Sequence, residues 1–191
     1  MHALIGKRKI MNQTNAKENI AAMNHSAILS MVITAICITL TYIFTAFINI
    51  RLPIAANGGL VHLGNVALFI SAILFGKKTG ALAGGIGMGL FDLLSGWTAW
   101  APFTLIIVGI MGFVMGWMTE HKKTYPRIIL AMIIVSAIKI VGYYLAEVIL
   151  YGNWVAPITS VPGNLVQMGV GSVIVLVVIG PILKITRREG I

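Results

Sequence analysis

Between Ala27 and Lys184 the chain returns repeatedly to apolar runs, several of them near the ~18 residues that mark a membrane span. Short polar or basic segments separate them. No soluble core of a 191-residue chain could hide that much apolar surface. Composition agrees, with 58% hydrophobic and only 10% charged residues, where soluble domains carry about 25% charged. A lipid-exposed span must satisfy its own backbone polar groups, so the runs are read as helices. The ~10-residue alternating segments of a membrane β-barrel are absent.

The reading is an all-α integral membrane protein with six transmembrane helices, at about 26–48, 60–75, 79–95, 101–119, 127–150 and 161–184. Residues 1–25 form a polar, basic tail, expected to be mobile and cytoplasmic; 26–185 form the membrane domain; 186–191 form a second cytoplasmic tail. The second and third helices are short for a bilayer core of roughly 30 Å.

The net charge of +9 is distributed as orientation signals. Lys7, Arg8, Lys9 and Lys17 precede the first run. Lys77 and Lys78, then Lys122, Lys123 and Arg127, then Lys184, Arg187 and Arg188 recur at every second connection. The intervening connections carry Arg51 alone or no charge. This alternation places both termini in the cytoplasm of a cell membrane. No basic stripe interleaved with polar contact residues exists, so nucleic acid is excluded as a partner.

Ionisable residues inside spans are costly and are candidates for function. Asp92, Lys139 and Glu147 are such residues. Lys139 and Glu147 share a helix face but are too far apart for direct pairing. An interhelical salt bridge, for example Asp92 with Lys139, is the alternative to a polar cavity. The sixth run opens Pro162-Gly163-Asn164, with Gln167 one turn later on the same face; two amides supply donors and acceptors suited to a heteroaromatic ring. His62 and Asn65 form a similar pair at the start of the second helix. Helix capping or interhelical hydrogen bonding would equally account for these pairs. Trp97, Trp100, Tyr151 and Trp154 flank the uncharged loops, either as an interfacial belt or as stacking platforms.

Gly84-Gly85-Ile86-Gly87-Met88-Gly89 lacks the Lys-Ser/Thr of a phosphate-binding loop. Gly80, Gly84, Gly85 and Gly89, like Gly109, Gly112 and Gly116, read instead as close helix packing. No catalytic constellation is present, the lone Cys37 excludes an intrachain disulfide, and no metal site or cofactor is expected.

The segments His62-Leu63-Gly64-Asn65, Leu74-Phe75-Gly76-Lys77-Lys78, Gly80-Ala81-Leu82-Ala83-Gly84-Gly85-Ile86-Gly87, Asp92-Leu93-Leu94-Ser95-Gly96 and Trp100-Ala101-Pro102-Phe103-Thr104, with Pro162-Gly163-Asn164 and Gln167, carry a resemblance. Together they resemble the S components of energy-coupling-factor (ECF) transporters, in the branch linked to hydroxymethylpyrimidine, pyridoxine and related vitamin precursors. The resemblance covers residues 27–185. It implies a six-helix protein that binds one small water-soluble vitamin at its outer face. Delivery inward would use a transmembrane coupling subunit (EcfT-like) and two cytoplasmic ATPases (EcfA-like), so the chain itself is no enzyme. It also implies a prokaryotic plasma-membrane location. By resemblance the 49–59 loop caps the site, and Trp100, Lys139, Tyr143, Glu147, Asn164 and Gln167 line it; Asp92, His62 and Asn65 join them from the residue reading. Family members dock through an Ala-x-x-x-Ala pattern on the first helix. This chain departs from that, leaving Ser30 with Thr34 and Met31 with Ala35 as substitutes. The alternatives are a self-contained secondary transporter, or an S component for pantothenate or riboflavin.

Overall fold

The computed structural model describes residues 2–51 and 60–188, with side chains described for 23, 25–50 and 61–186. The 52–59 part of the expected capping loop and residues 189–191 of the expected tail lie outside the described residues. Two units, Met1–Ala35 and Ile36–Ile191, are described separately.

The first unit is helical from His2, the start of α1 (His2–Phe47), so the helix takes in the segment expected as a tail. Ser30, Met31, Thr34 and Ala35 lie here. The Thr34 hydroxyl donates to the Ser30 carbonyl at 2.8 Å, which satisfies it within the helix.

In the second unit α1 continues with Cys37, Thr41 and Thr45 as a buried stripe at helical spacing. The Thr41 hydroxyl donates to the Cys37 carbonyl (2.9 Å) and Thr45 to Thr41 (2.7 Å), so apolar surroundings leave neither unpaired. Then come β1 (Asn49–Arg51) and β2 (Leu60–His62), an antiparallel ribbon pairing Asn49 with His62, followed by α2 (Gly64–Leu94). The remaining elements are α3 (Ala101–Thr119), α4 (Tyr125–Tyr151), a 3-10 turn (Ala156–Ser160) and α5 (Val161–Arg188).

Two expectations change. His62 does not start a helix. It pairs in the ribbon, and α2 begins at Gly64, so His62 and Asn65 are not one helix face. The described residues also contain five, not six, continuous helices long and apolar enough to cross a membrane. The difference lies in α2, whose helical geometry breaks at Gly76 (φ 86°, ψ −176°), a conformation open to glycine alone. There the chain doubles back: a Cβ built on Gly80 would lie 2.6 Å from that of Ala72, and one on Gly84 2.6 Å from Leu68. Residues 64–75 and 77–94 are therefore antiparallel arms. Lys77 pairs with Glu120 at 2.9 Å, and Lys123 donates to the Leu74 carbonyl at 3.2 Å, tying the turn to the α3–α4 connection. The Lys77 hydrogen bond and charge hold the exposed Glu120 carboxyl below its usual range.

The second arm and α3 approach backbone to backbone. Cβ atoms on Gly84 and Gly85 would meet the carbonyls of Val108 (2.8 Å) and Leu105 (2.7 Å), and Gly112 abuts the Gly80 carbonyl. Around this seam the core gathers Leu68, Phe69, Ile73, Met111, Met115, Ile128 and Ile179. Large apolar residues also face outward, among them Trp117, Ile133, Val173 and Val177, as a lipid-facing surface requires.

Helix ends follow local chemistry. Pro102, Pro126 and Pro162 sit in first turns, where a missing N–H is tolerated. α4 stops at Gly152, left-handed at φ 63°, whose N–H donates to the Val148 carbonyl at 2.9 Å. The Asn153 carboxamide oxygen then accepts the Val155 N–H at 2.7 Å, starting the turn that leads to α5.

Candidate functional site

A spacing of four residues puts Lys139, Tyr143 and Glu147 on one stripe of α4. That stripe faces the ends of α2 and α3 on one side and the start of α5 on the other. Between them lies a cavity of about 130 Å³. Its walls are His62 from β2, Phe91 and Asp92 from the end of α2, and Trp97, Trp100 and Thr104 around the start of α3. Lys139, Tyr143 and Glu147 come from α4, and Ser160, Gly163, Asn164 and Gln167 from the entry to α5.

Of the residues singled out from the sequence, Lys139, Asn164, Gln167, Glu147, Tyr143, Trp100, His62 and Asp92 thus border one space. Asn65 does not. It is fully buried, its amide donating to the Met168 sulfur at 3.5 Å. Trp97, one of the aromatic residues offered above as belt or stacking platform, lines the cavity, as do Phe91, Thr104, Ser160 and Gly163, which were not singled out as lining residues. Thr104 and Ser160 carried no visible signal: a lone hydroxyl in an apolar run is ordinary helix filler.

Lys139 is only 2% exposed, and its Nζ lies 5.4 Å from the centre of the Tyr143 ring. No carboxylate closes on it to salt-bridge distance; among the described residues the ion pair at that range is Lys77–Glu120. A buried ammonium in this state presents donors to whatever enters the cavity. Tyr143 and Thr104 share a hydrogen bond at 3.0 Å. Glu147 Oε2 accepts the Ser160 hydroxyl at 2.8 Å, and the Asn164 amide donates to the Ser160 carbonyl at 3.3 Å, so the α5 entry is braced against α4. Trp100 contacts Tyr143 at 6.3 Å and Tyr151 at 6.1 Å between ring centres, forming an aromatic wall.

Among the described residues, three buried polar atoms have no hydrogen-bond partner: His62 Nδ1, Asn65 Oδ1 and Gln167 Nε2. Two of these residues border the cavity. Burial, reinforced by the Lys139 charge, holds the His62 imidazole well below its usual 6.5, so it is neutral and can both donate and accept. Among the described residues no three His, Cys, Asp or Glu side chains gather as metal ligands. The site therefore offers aromatic faces, a neutral amide, a cation and carboxylates around a small space.

Comparison with known proteins bears on fold and family. A solved S component of a bacterial ECF transporter superposes with a TM-score of 0.68 over 83% of this chain and 98% of that one, at 12% identity. The two share a fold. An uncharacterised protein of Pyrococcus woesei is 34% identical over 142 residues, 71% of this chain and 95% of its own length. The thiamine precursor transporter HmpT of Lactococcus lactis subsp. cremoris is 29% identical over 169 residues, covering 88% of this chain and 94% of that protein. The family model for the S component of ECF-type riboflavin transporters matches residues 25–184. With that match spanning nearly all of the membrane domain, the chain belongs to the ECF-type riboflavin transporter S-component family.

Proposed function

We propose that this chain captures a single-ring vitamin precursor of the hydroxymethylpyrimidine type, from outside the cell, as the binding subunit of an ECF-type importer. The carrying observation is the cavity of about 130 Å³. Pockets for drug-sized molecules run to several hundred Å³, whereas an engineered cavity of about 150 Å³ takes one benzene ring. A single ring suits a space of that size better than tricyclic riboflavin with its ribityl chain, and this favours the smaller class. The relation to a thiamine precursor transporter favours the same small class. Pyridoxine is the second reading, because it too is one ring and its hydroxyls suit Lys139 and Asn164.

In this reading Trp100 and Tyr143 pack on the ring, and Lys139 donates to a hydroxyl or ring nitrogen. Asp92 and Glu147 accept from ligand N–H or O–H groups, while His62 and Gln167 gain the partners they lack. Transport would use an EcfT-like coupling subunit and two EcfA-like ATPases in the plasma membrane. Ser30, Met31, Thr34 and Ala35 on α1 are the proposed docking positions. Counting each arm of α2 as a crossing gives six, with both termini cytoplasmic and every basic cluster on that side. The 64–75 arm, about 18 Å long as a helix, crosses only with help from its extended flank and shielding neighbours.

The test is equilibrium binding of hydroxymethylpyrimidine, pyridoxine, pantothenate and riboflavin to the purified chain, with mass spectrometry of co-purified small molecules. Tight binding of a single-ring compound is expected. Tight binding of riboflavin alone would defeat the proposal, and uptake by liposomes holding this chain alone would favour a self-contained carrier.

A further inference from the structure

We infer that Gln167 selects the substrate by reading a ring edge on which a ring nitrogen stands next to an exocyclic amino group; this rests on the one-ring reading of the cavity. Gln167 is 4% exposed and borders the cavity, and its Nε2 has no hydrogen-bond partner. Leaving such a donor buried and unpaired is unfavourable, so a ligand that pairs with it gains more than one that does not.

The other polar groups are less suited to this edge. The Asn164 amide nitrogen is already engaged by the Ser160 carbonyl, and Glu147 takes the Ser160 hydroxyl. Tyr143 and Thr104 engage one another. Lys139 can only donate, and an ionised Asp92 can only accept. Gln167 carries a donor and an acceptor side by side on one planar group. A ring nitrogen beside an amino group presents the complementary acceptor and donor. The match is the one by which Asn or Gln pairs with the edge of adenine. Pyridoxine has hydroxyls and an isolated ring nitrogen, and it offers no such edge. The site is thus predicted to prefer a 4-aminopyrimidine over a hydroxylated pyridine. A 4-oxo ring would be met by the same amide turned over, so the diagnostic compound carries hydrogen in place of the amino group.

The experiment titrates the full chain in detergent with 4-amino-5-hydroxymethyl-2-methylpyrimidine and with its 4-deamino analogue, followed by quenching of tryptophan fluorescence. Wild type should prefer the amino compound by about 5- to 150-fold, the range of one good bidentate pair. In Gln167→Leu and Gln167→Met, both close to glutamine in volume, the preference should collapse to about one, because the paired edge has lost its reader. Two variants guard against one misfolding, which a lost thermal transition reveals. If either folded variant keeps the wild-type preference, or if wild type binds both pyrimidines equally, the role of Gln167 is overturned while the one-ring site stands. If wild type binds neither pyrimidine, both the site reading and this inference fall.

Discussion

Replacing Lys139 with methionine separates a binding role from a structural one, because the two roles move different quantities. Lys139 is almost wholly buried on α4, borders the cavity, and has no carboxylate at salt-bridge distance. In the empty protein its ammonium is desolvated, with the Tyr143 ring and the Asp92 charge beyond salt-bridge distance in partial return. Methionine keeps the length of the side chain and removes the charge, so the empty protein should become more stable, by about 1–3 kcal/mol. With ligand bound, the same change removes a hydrogen bond from a charged donor, worth about 1.5–3 kcal/mol. Affinity for the pyrimidine should fall by roughly 10- to 150-fold. Lys78, exposed beside the Gly76 turn, is the control: Lys78→Ala should leave both quantities within about 0.5 kcal/mol. The assay pairs thermal unfolding in detergent, read by intrinsic fluorescence, with ligand titration of the same samples. A Lys139→Met protein that melts earlier and binds as well as wild type would refute the reasoning, and would mark Lys139 as a member of a structural ion pair.

Two further outcomes test other parts of the fold. Gly112→Ala should destabilise by about 1–3 kcal/mol, since its Cβ runs into the Gly80 backbone, whereas Gly169→Ala, with open space around it, should be neutral or stabilising by up to ~1 kcal/mol; equal melting temperatures would discard the backbone seam. His62 binds its proton less readily folded than unfolded, so stability is full above about pH 6.5 and declines as the pH falls below it. His62→Gln should flatten that decline over melts at a series of pH values, and an unchanged slope would place the titrating group elsewhere.

What the residues reveal in advance depends on whether the deciding interaction is local. α3 is bounded by Pro102 and by the polar Glu120, both next to an unbroken apolar run, and its expected limits of 101–119 match Ala101–Thr119. The glycines at 80, 84, 85, 109 and 112 meet other backbones or lie near them, because a missing side chain in a membrane helix has few other uses. His62 was misplaced because its conformation is set by pairing with Asn49, across a segment whose length hides the partner. Thr104 shows the same limit at the site. Its hydroxyl matters through Tyr143, thirty-nine residues away, and nothing in the 101–119 run announces that neighbour. The stripe of Lys139, Tyr143 and Glu147 was readable because it lies within one helix. The elements that face it came from tertiary packing.

The glycine contact between the second arm of α2 and α3 has a mechanical consequence. Helices whose main chains touch have no interlocking side chains to re-seat, so they cannot slide or tilt past each other by swapping rotamers. The pair behaves as a stiff beam that carries Phe91, Asp92 and Thr104 at its tip. If the cavity takes a ligand as proposed, any yielding on its entry falls to the opposite jamb, where His62 of the β1–β2 ribbon and the α5 entry border the cavity, with the beam as the fixed post.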